Sequence, residues 1–202
     1  MMGTEPVDGA PARRPRKDAA RNRAALLAAA DDLFARCDSP GDITMSDVAA
    51  AAGVGKGTLF RAFGDRTALI AALYAARLEP LEAAVSHGPP PLGPGTPPAE
   101  RVPALLDALL CFKLDHRHLM LALEGAGSGS PYRAEHYGRW HELLRTALDG
   151  VPGLADPGFT AHALLAAVRA DLVEHLAGDC GTDRDELRSR LQEFVRRVLA
   201  GP

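Results

Sequence analysis

Apolar residues recur along this chain at intervals of three and four and nowhere alternate over a strand's length, so the pattern predicts an all-α protein without internal repeats. Leu26, Ala30, Leu33 and Phe34 mark a first helix from about Asp18 to Cys37, closed by the loop Asp38-Ser39-Pro40-Gly41-Asp42. A second, short helix opens at Thr44, whose hydroxyl is placed to accept from the Asp47 backbone N–H, and Asp47 adds negative charge at the positive helix end. It stops at Gly53, and a third helix begins near Lys56. A fourth, capped by Asp65, carries Leu69, Ile70, Leu73, Tyr74 and Leu78 on one face, and Pro80 is expected to kink or end it.

The stretch HGPPPLGPGTPP at 87–98 suits neither helix nor strand and predicts a loop or linker. Beyond it, Val102, Leu105, Leu106, Leu109 and Leu110 mark a helix, a shorter apolar piece surrounds Leu119 to Leu123, and Tyr137, Trp140, Leu144 and Leu148 mark another. Asp156-Pro157 reads as an N-cap followed by proline at the first position of a long helix to about Ala177, and Thr182 opens the last one. The expected total is about nine helices, divided into a basic, disordered arm at 1–17, a three-helix unit at 18–66 and a larger helical domain at 67–202.

Composition narrows the class. With 202 residues, 47% of them hydrophobic and 24% charged, the chain is of ordinary globular type. It has no apolar run of the roughly 20 residues that cross a bilayer and no signal-peptide order at its start, so a cytoplasmic protein is expected. Cys37, Cys111 and Cys180 lack the spacing of a disulfide framework or zinc site and are read as reduced packing residues. A net charge of −3 conceals a basic run, Arg13, Arg14, Arg16, Lys17, Arg21 and Arg23, interrupted by Asp18 alone. Such a run is either a solvated tail or a segment that follows phosphates.

The segment TMSDVAAAAGVGKGTLFRAF, Thr44 to Phe63, carries the most specific signal. Ala49 permits close helix approach, Gly53 supplies a positive-φ reversal, and Val48, Val54 and Leu59 are placed to lock two short crossing helices. The pattern Arg23-x-x-Leu26-Leu27-x-Ala29-Ala30-x-x-Leu33-Phe34, Val48-Ala49-x-x-Ala52-Gly53-Val54-x-Lys56-Gly57-Thr58-Leu59-Phe60-x-x-Phe63 and Arg66-x-x-Leu69 resembles the tetracycline-repressor (TetR) family. The resemblance covers roughly residues 20 to 75. It implies that Lys56 to Phe63 is a recognition helix for the major groove of double-stranded DNA, with Gly57 and Thr58 approaching the duplex and Lys56 and Arg61 offered to phosphates or base edges. Ser46 and Arg66 fall where family members commonly contact DNA. The chain departs from the family pattern at Phe60, usually tyrosine, and at Asp38, near the expected helix-ending glycine.

Other signals are weaker. Gly53 to Thr58 lacks the spacing of a phosphate-binding loop, since Gly57 follows the lysine and Ala51 stands where a glycine is needed. Gly125 to Ser130 lacks the strand and full pentapeptide of a nucleophile elbow, so no catalytic residue is assigned. Seven histidines lie outside the DNA-reading segment, but His136 and His141 are five apart and do not stack on one α-helical face, so no metal site is assigned. No cofactor is expected. Phe112, His116, Met120, Tyr137, Trp140 and His141 either line an apolar cavity for a small-molecule effector or pack a core. The last two predicted helices carry more apolar positions than one buried stripe needs. Leu165, Val168, Leu172, Leu187, Leu191, Phe194, Val195 and Val198 therefore form either the face of a homodimeric four-helix bundle or internal packing. The reading that follows is a regulator released from a pseudo-palindromic operator by an effector, with a helical enzyme or a protein-interaction module as rivals.

Overall fold

The computed structural model of the chain describes residues 13–36, 40–126, 130, 132 and 135–200, and all regular structure among them is helical. Helix α1 spans Arg13–Arg36, α2 Met45–Ala51, α3 Lys56–Phe63 and α4 Arg66–His87. Then come α5 at Pro98–Asp115, α6 at Arg117–Ala126 and α7 at Glu135–Leu148. The chain finishes with α8 at Pro157–Ala166, α9 at Ala170–Glu174 running on into a π-helical turn at His175–Asp179, and α10 at Arg184–Ala200. The expected all-helical architecture holds. Residues 13–17, assigned from sequence to the basic arm, belong to α1; residues 1–12 of the arm and the loop residues 37–39, with Cys37 and Asp38, lie outside the described residues.

Pro80 does not end α4. The helix passes through it because Leu78, 1% exposed, and Val85, 4% exposed, tie the turns on either side into the core. That burial offsets the roughly 3 kcal/mol that an internal proline costs. The long helix expected over 156–177 is in fact two. Its Asp156 cap is present, accepting from the Phe159 N–H at 2.8 Å, but α8 stops at Ala166 and Arg169 is extended at φ −62°, ψ 145°. Lys113 Nζ donates to the Val168 carbonyl at 2.5 Å across this break, and the Arg169 guanidinium folds onto Asp171 at 2.7 Å. The last helix is capped by Asp183, not Thr182: the Asp183 carboxylate accepts from the Glu186 N–H at 2.9 Å.

The Pro/Gly-rich segment lies between α4 and α5 as expected and is held by a side chain the sequence did not single out. Arg101 is 8% exposed and donates to the carbonyls of Val85 and Leu92, each at 3.1 Å. Helix α6 packs against α1, α4 and the turn 40–42 on one side and against α9 on the other, where Arg117 forms a two-pronged ion pair with Glu174 at 2.6 and 2.8 Å.

Candidate nucleic-acid interface

The amino-terminal unit is built around two short helices. Thr44 Oγ1 accepts from the Asp47 N–H at 3.2 Å, and the Thr44 N–H donates to Asp47 Oδ2 at 2.9 Å, so the predicted cap is a reciprocal box. Those hydrogen bonds from the Thr44 side chain and backbone, with Lys56 nearby, hold the Asp47 carboxyl below its ordinary pKa. Gly53 has φ +65°, and the Val54 N–H returns to the Ala49 carbonyl at 3.0 Å, which turns the chain from α2 into α3. Val48, Ala49 and Leu59 are at most 1% exposed and Phe63 is 8% exposed, so one face of α3 is buried and the other is fixed outward.

That outward face carries Lys56, Gly57, Arg61 and the ring of Phe60, which is 49% exposed. Thr58 and Ser46 are half-buried beside it. A Cβ on Gly57 would meet nothing within 4 Å, so the protein's own packing does not require glycine there; the position is open to an approaching surface. Arg66 is half-buried and already engaged, donating Nε to the Ile43 carbonyl at 2.9 Å with its guanidinium 5.9 Å from the Phe34 ring. It fastens the start of α4 to the segment entering α2.

Sequence reasoning placed Arg23 in the basic run and at the head of the family-like motif, but gave it no partner. Arg23 Nη1 donates to the Ala62 carbonyl at 2.9 Å, and the guanidinium lies 4.3 Å over the Phe63 ring, so α1 grips the last turn of α3. Arg77 of α4 donates to Asp31 of α1 at 2.8 Å and closes the same unit from behind.

In the larger domain the residues considered for an effector fall into two groups. Phe112, Met120 and Trp140 are buried, and His116 packs edge-on to Phe112 with centroids 4.7 Å apart. Tyr74, absent from the sequence reading of this region, joins Phe112 at 5.8 Å and His136 at 5.0 Å, and burial raises its phenol pKa. Burial and the neighbouring Arg77 lower that of His116. Tyr137 and His141 stand apart, in a stack with His162: the two imidazole centroids are 3.9 Å apart, and the Tyr137 hydroxyl meets His162 Nδ1 at 2.6 Å. No group of three or more His, Cys, Asp or Glu among the described residues is placed to hold a metal ion.

Of the residues considered for a dimer face, Leu165, Val168, Leu187, Leu191 and Val195 are buried in the chain's own core. Val198 is half-buried, while Leu172 at 38% and Phe194 at 42% are exposed. An apolar groove is lined by Leu110, Val173, Leu176, Leu187, Leu191 and Phe194. No helix among the described residues is long and apolar enough to cross a membrane.

Two short helices crossing at a positive-φ glycine, the second presenting Lys56 and Arg61 outward, define a helix-turn-helix head on an all-helical body. Residues 26–73, in the amino-terminal unit, match the family model of the bacterial regulatory proteins of the tetR family. The described residues share the fold of solved TetR-type transcriptional regulators. It superposes with a TM-score of 0.69 on a transcriptional regulator from Rhodococcus sp. RHA1, 23% identical, covering 89% of this chain and 96% of that one. A TetR-like transcriptional regulator from the same organism gives 0.61 at 25% identity, covering 90% and 97%. NalD, the secondary repressor of the MexAB-OprM multidrug efflux pump in Pseudomonas aeruginosa, gives 0.61 at 19%, also covering 90% and 97%. Among curated proteins none matches the chain.

Proposed function

We propose that this chain is a homodimeric transcriptional repressor that binds a pseudo-palindromic operator through α3 and leaves it when a small molecule occupies the larger helical domain. The observation that carries the reading is the outer face of α3, where Lys56, Gly57, Phe60 and Arg61 stand exposed on a helix whose other face is buried. Lys56 and Arg61 supply phosphate or base-edge contacts, Gly57 admits the duplex backbone, and Phe60 offers apolar contact to a thymine methyl where a tyrosine would offer a hydroxyl. Ser46, Thr58 and Arg66 border that face. Two heads related by a twofold axis would enter successive major grooves about 34–36 Å apart. The exposed Leu172 and Phe194, with Leu187 and Leu191 at the apolar groove, supply the pairing face. The repressor described for NalD, and the regulators whose fold this chain shares, favour repression over an enzymatic use of the larger domain.

The test is a fluorescence-anisotropy titration of the full chain against duplexes from the DNA flanking its own gene, at several salt concentrations. A specific, salt-sensitive complex is expected. Lys56→Ala should weaken it across sequences and lower the salt slope by about one counterion, while Arg61→Ala abolishes the preference among sequences. A folded protein with no preference for any duplex would overturn the reading.

A further inference from the structure

Behind α9 lies a group of side chains that DNA binding does not use. Cys180, read from sequence as a packing residue, is exposed at the surface. Its Sγ lies 3.6 Å from His175 Nε2, and His175 Nδ1 lies 3.0 Å from Asp179 Oδ2. The polarity of this chain follows from chemistry. An ionised carboxylate only accepts, so Nδ1 carries the proton and donates to Asp179, and the free Nε2 lone pair faces the thiol. This is the order nucleophile, base, orienting acid, with each pair within reach of the next.

The backbone explains why three residues so near in sequence meet. Residues five apart diverge around an α-helix, but His175–Asp179 form a π-helical turn, whose hydrogen bonds run five residues and bring positions 175 and 180 onto one side. The Cys180 N–H closes that turn on the His175 carbonyl at 2.9 Å, and the Thr182 N–H returns to the Leu176 carbonyl at 2.9 Å. Gly181, at φ +64°, then leads the chain away towards α10 and leaves the sulfur open to solvent. Single π-helical turns are rare and are frequent at functional sites.

We propose that Cys180, His175 and Asp179 form a reactive thiol site that captures soft electrophiles of the α,β-unsaturated carbonyl class. His175 takes the thiol proton as the sulfur attacks the β-carbon. The C–S bond forms as the carbon–carbon π bond opens to an enolate, and the imidazolium returns its proton to the α-carbon, so the adduct forms with no leaving group and no oxidant. Asp179 holds the imidazole in the tautomer that accepts from sulfur and supports its charge while it carries the extra proton.

The experiment treats the full chain with limiting N-ethylmaleimide, itself an α,β-unsaturated dicarbonyl, across a range of pH and locates the adduct by peptide mass spectrometry. Cys180 should be labelled ahead of Cys111. His175→Gln should slow its labelling at neutral pH by about tenfold, because the general base is lost. Asp179→Asn should slow it less. All three side chains are exposed, so both variants should keep the parent's melting temperature, which separates lost activation from lost fold. Labelling of Cys111 before Cys180, or a Cys180 labelling rate unchanged in both variants, would overturn the proposal.

Discussion

The guanidinium of Arg23 lies 4.3 Å above the ring of Phe63 while its Nη1 holds the Ala62 carbonyl, so one side chain of α1 fixes the last turn of α3. Arg23→Ala removes both contacts and should lower stability by about 1 kcal/mol, read as a shift in the urea midpoint. It should also weaken operator binding, although Arg23 lies on a different helix from the reading face. Arg23→Lys keeps the charge but not the planar fork and should recover only part of either loss.

Two glycines four residues apart should behave oppositely. Gly53 has φ +65° with open space around its Cα, so Gly53→Ala meets no clash and carries backbone strain alone. The expected cost is about 1 kcal/mol in a denaturant melt. Gly57 lies within α3 without a positive φ, so Gly57→Ala should raise stability by up to about 1 kcal/mol. If a duplex backbone approaches that point, the same variant should lose operator affinity while it gains stability.

Glu174 is held below its ordinary value of 4.5, chiefly by its hydrogen bonds from the Arg117 guanidinium. A folded-state value below the unfolded one means that the pair contributes at neutral pH and is lost as acid titrates the carboxylate through its lowered value. Both side chains are partly exposed, so the contribution is small, roughly 0.5–1 kcal/mol. Glu174→Gln should therefore be slightly less stable than the parent at neutral pH. The two melting curves should converge below the parent's titration.

Arg101 is expected to be the most sensitive side chain of the larger domain's loop region. Arg101→Met keeps most of the buried stem but leaves the Val85 and Leu92 carbonyls without their donor. A loss of about 1–3 kcal/mol follows, with faster hydrogen exchange expected in 88–97.

Helix periodicity and caps were legible in the sequence because they are local. Thr44, Asp65 and Asp156 each cap the helix assigned to them, and Gly53 turns where the pattern required. Non-local effects were not legible. Pro80 passes as a breaker until Leu78 and Val85 are seen buried on either side, and the break after Ala166 falls in AAVRAD, a run with neither glycine nor proline. On α3, the outward placement of Lys56, Phe60 and Arg61 was legible because a tight motif fixes their side of the helix. The partners of Arg23, Ala62 and Phe63, were not legible because they lie about forty residues away. His175 and Cys180 are five apart, a spacing that an α-helical wheel separates and a π-turn joins.

The break between α8 and α9 has a mechanical consequence. An unbroken rod from Pro157 to Asp179 would act as one lever, carrying any displacement at the Tyr137–His162 stack straight to the α10 side. The bend at 167–169, pinned by Lys113 through the Val168 carbonyl, makes a jointed linkage instead. The two helical arms are thus separate elements, and α5, through Lys113, holds the joint between them.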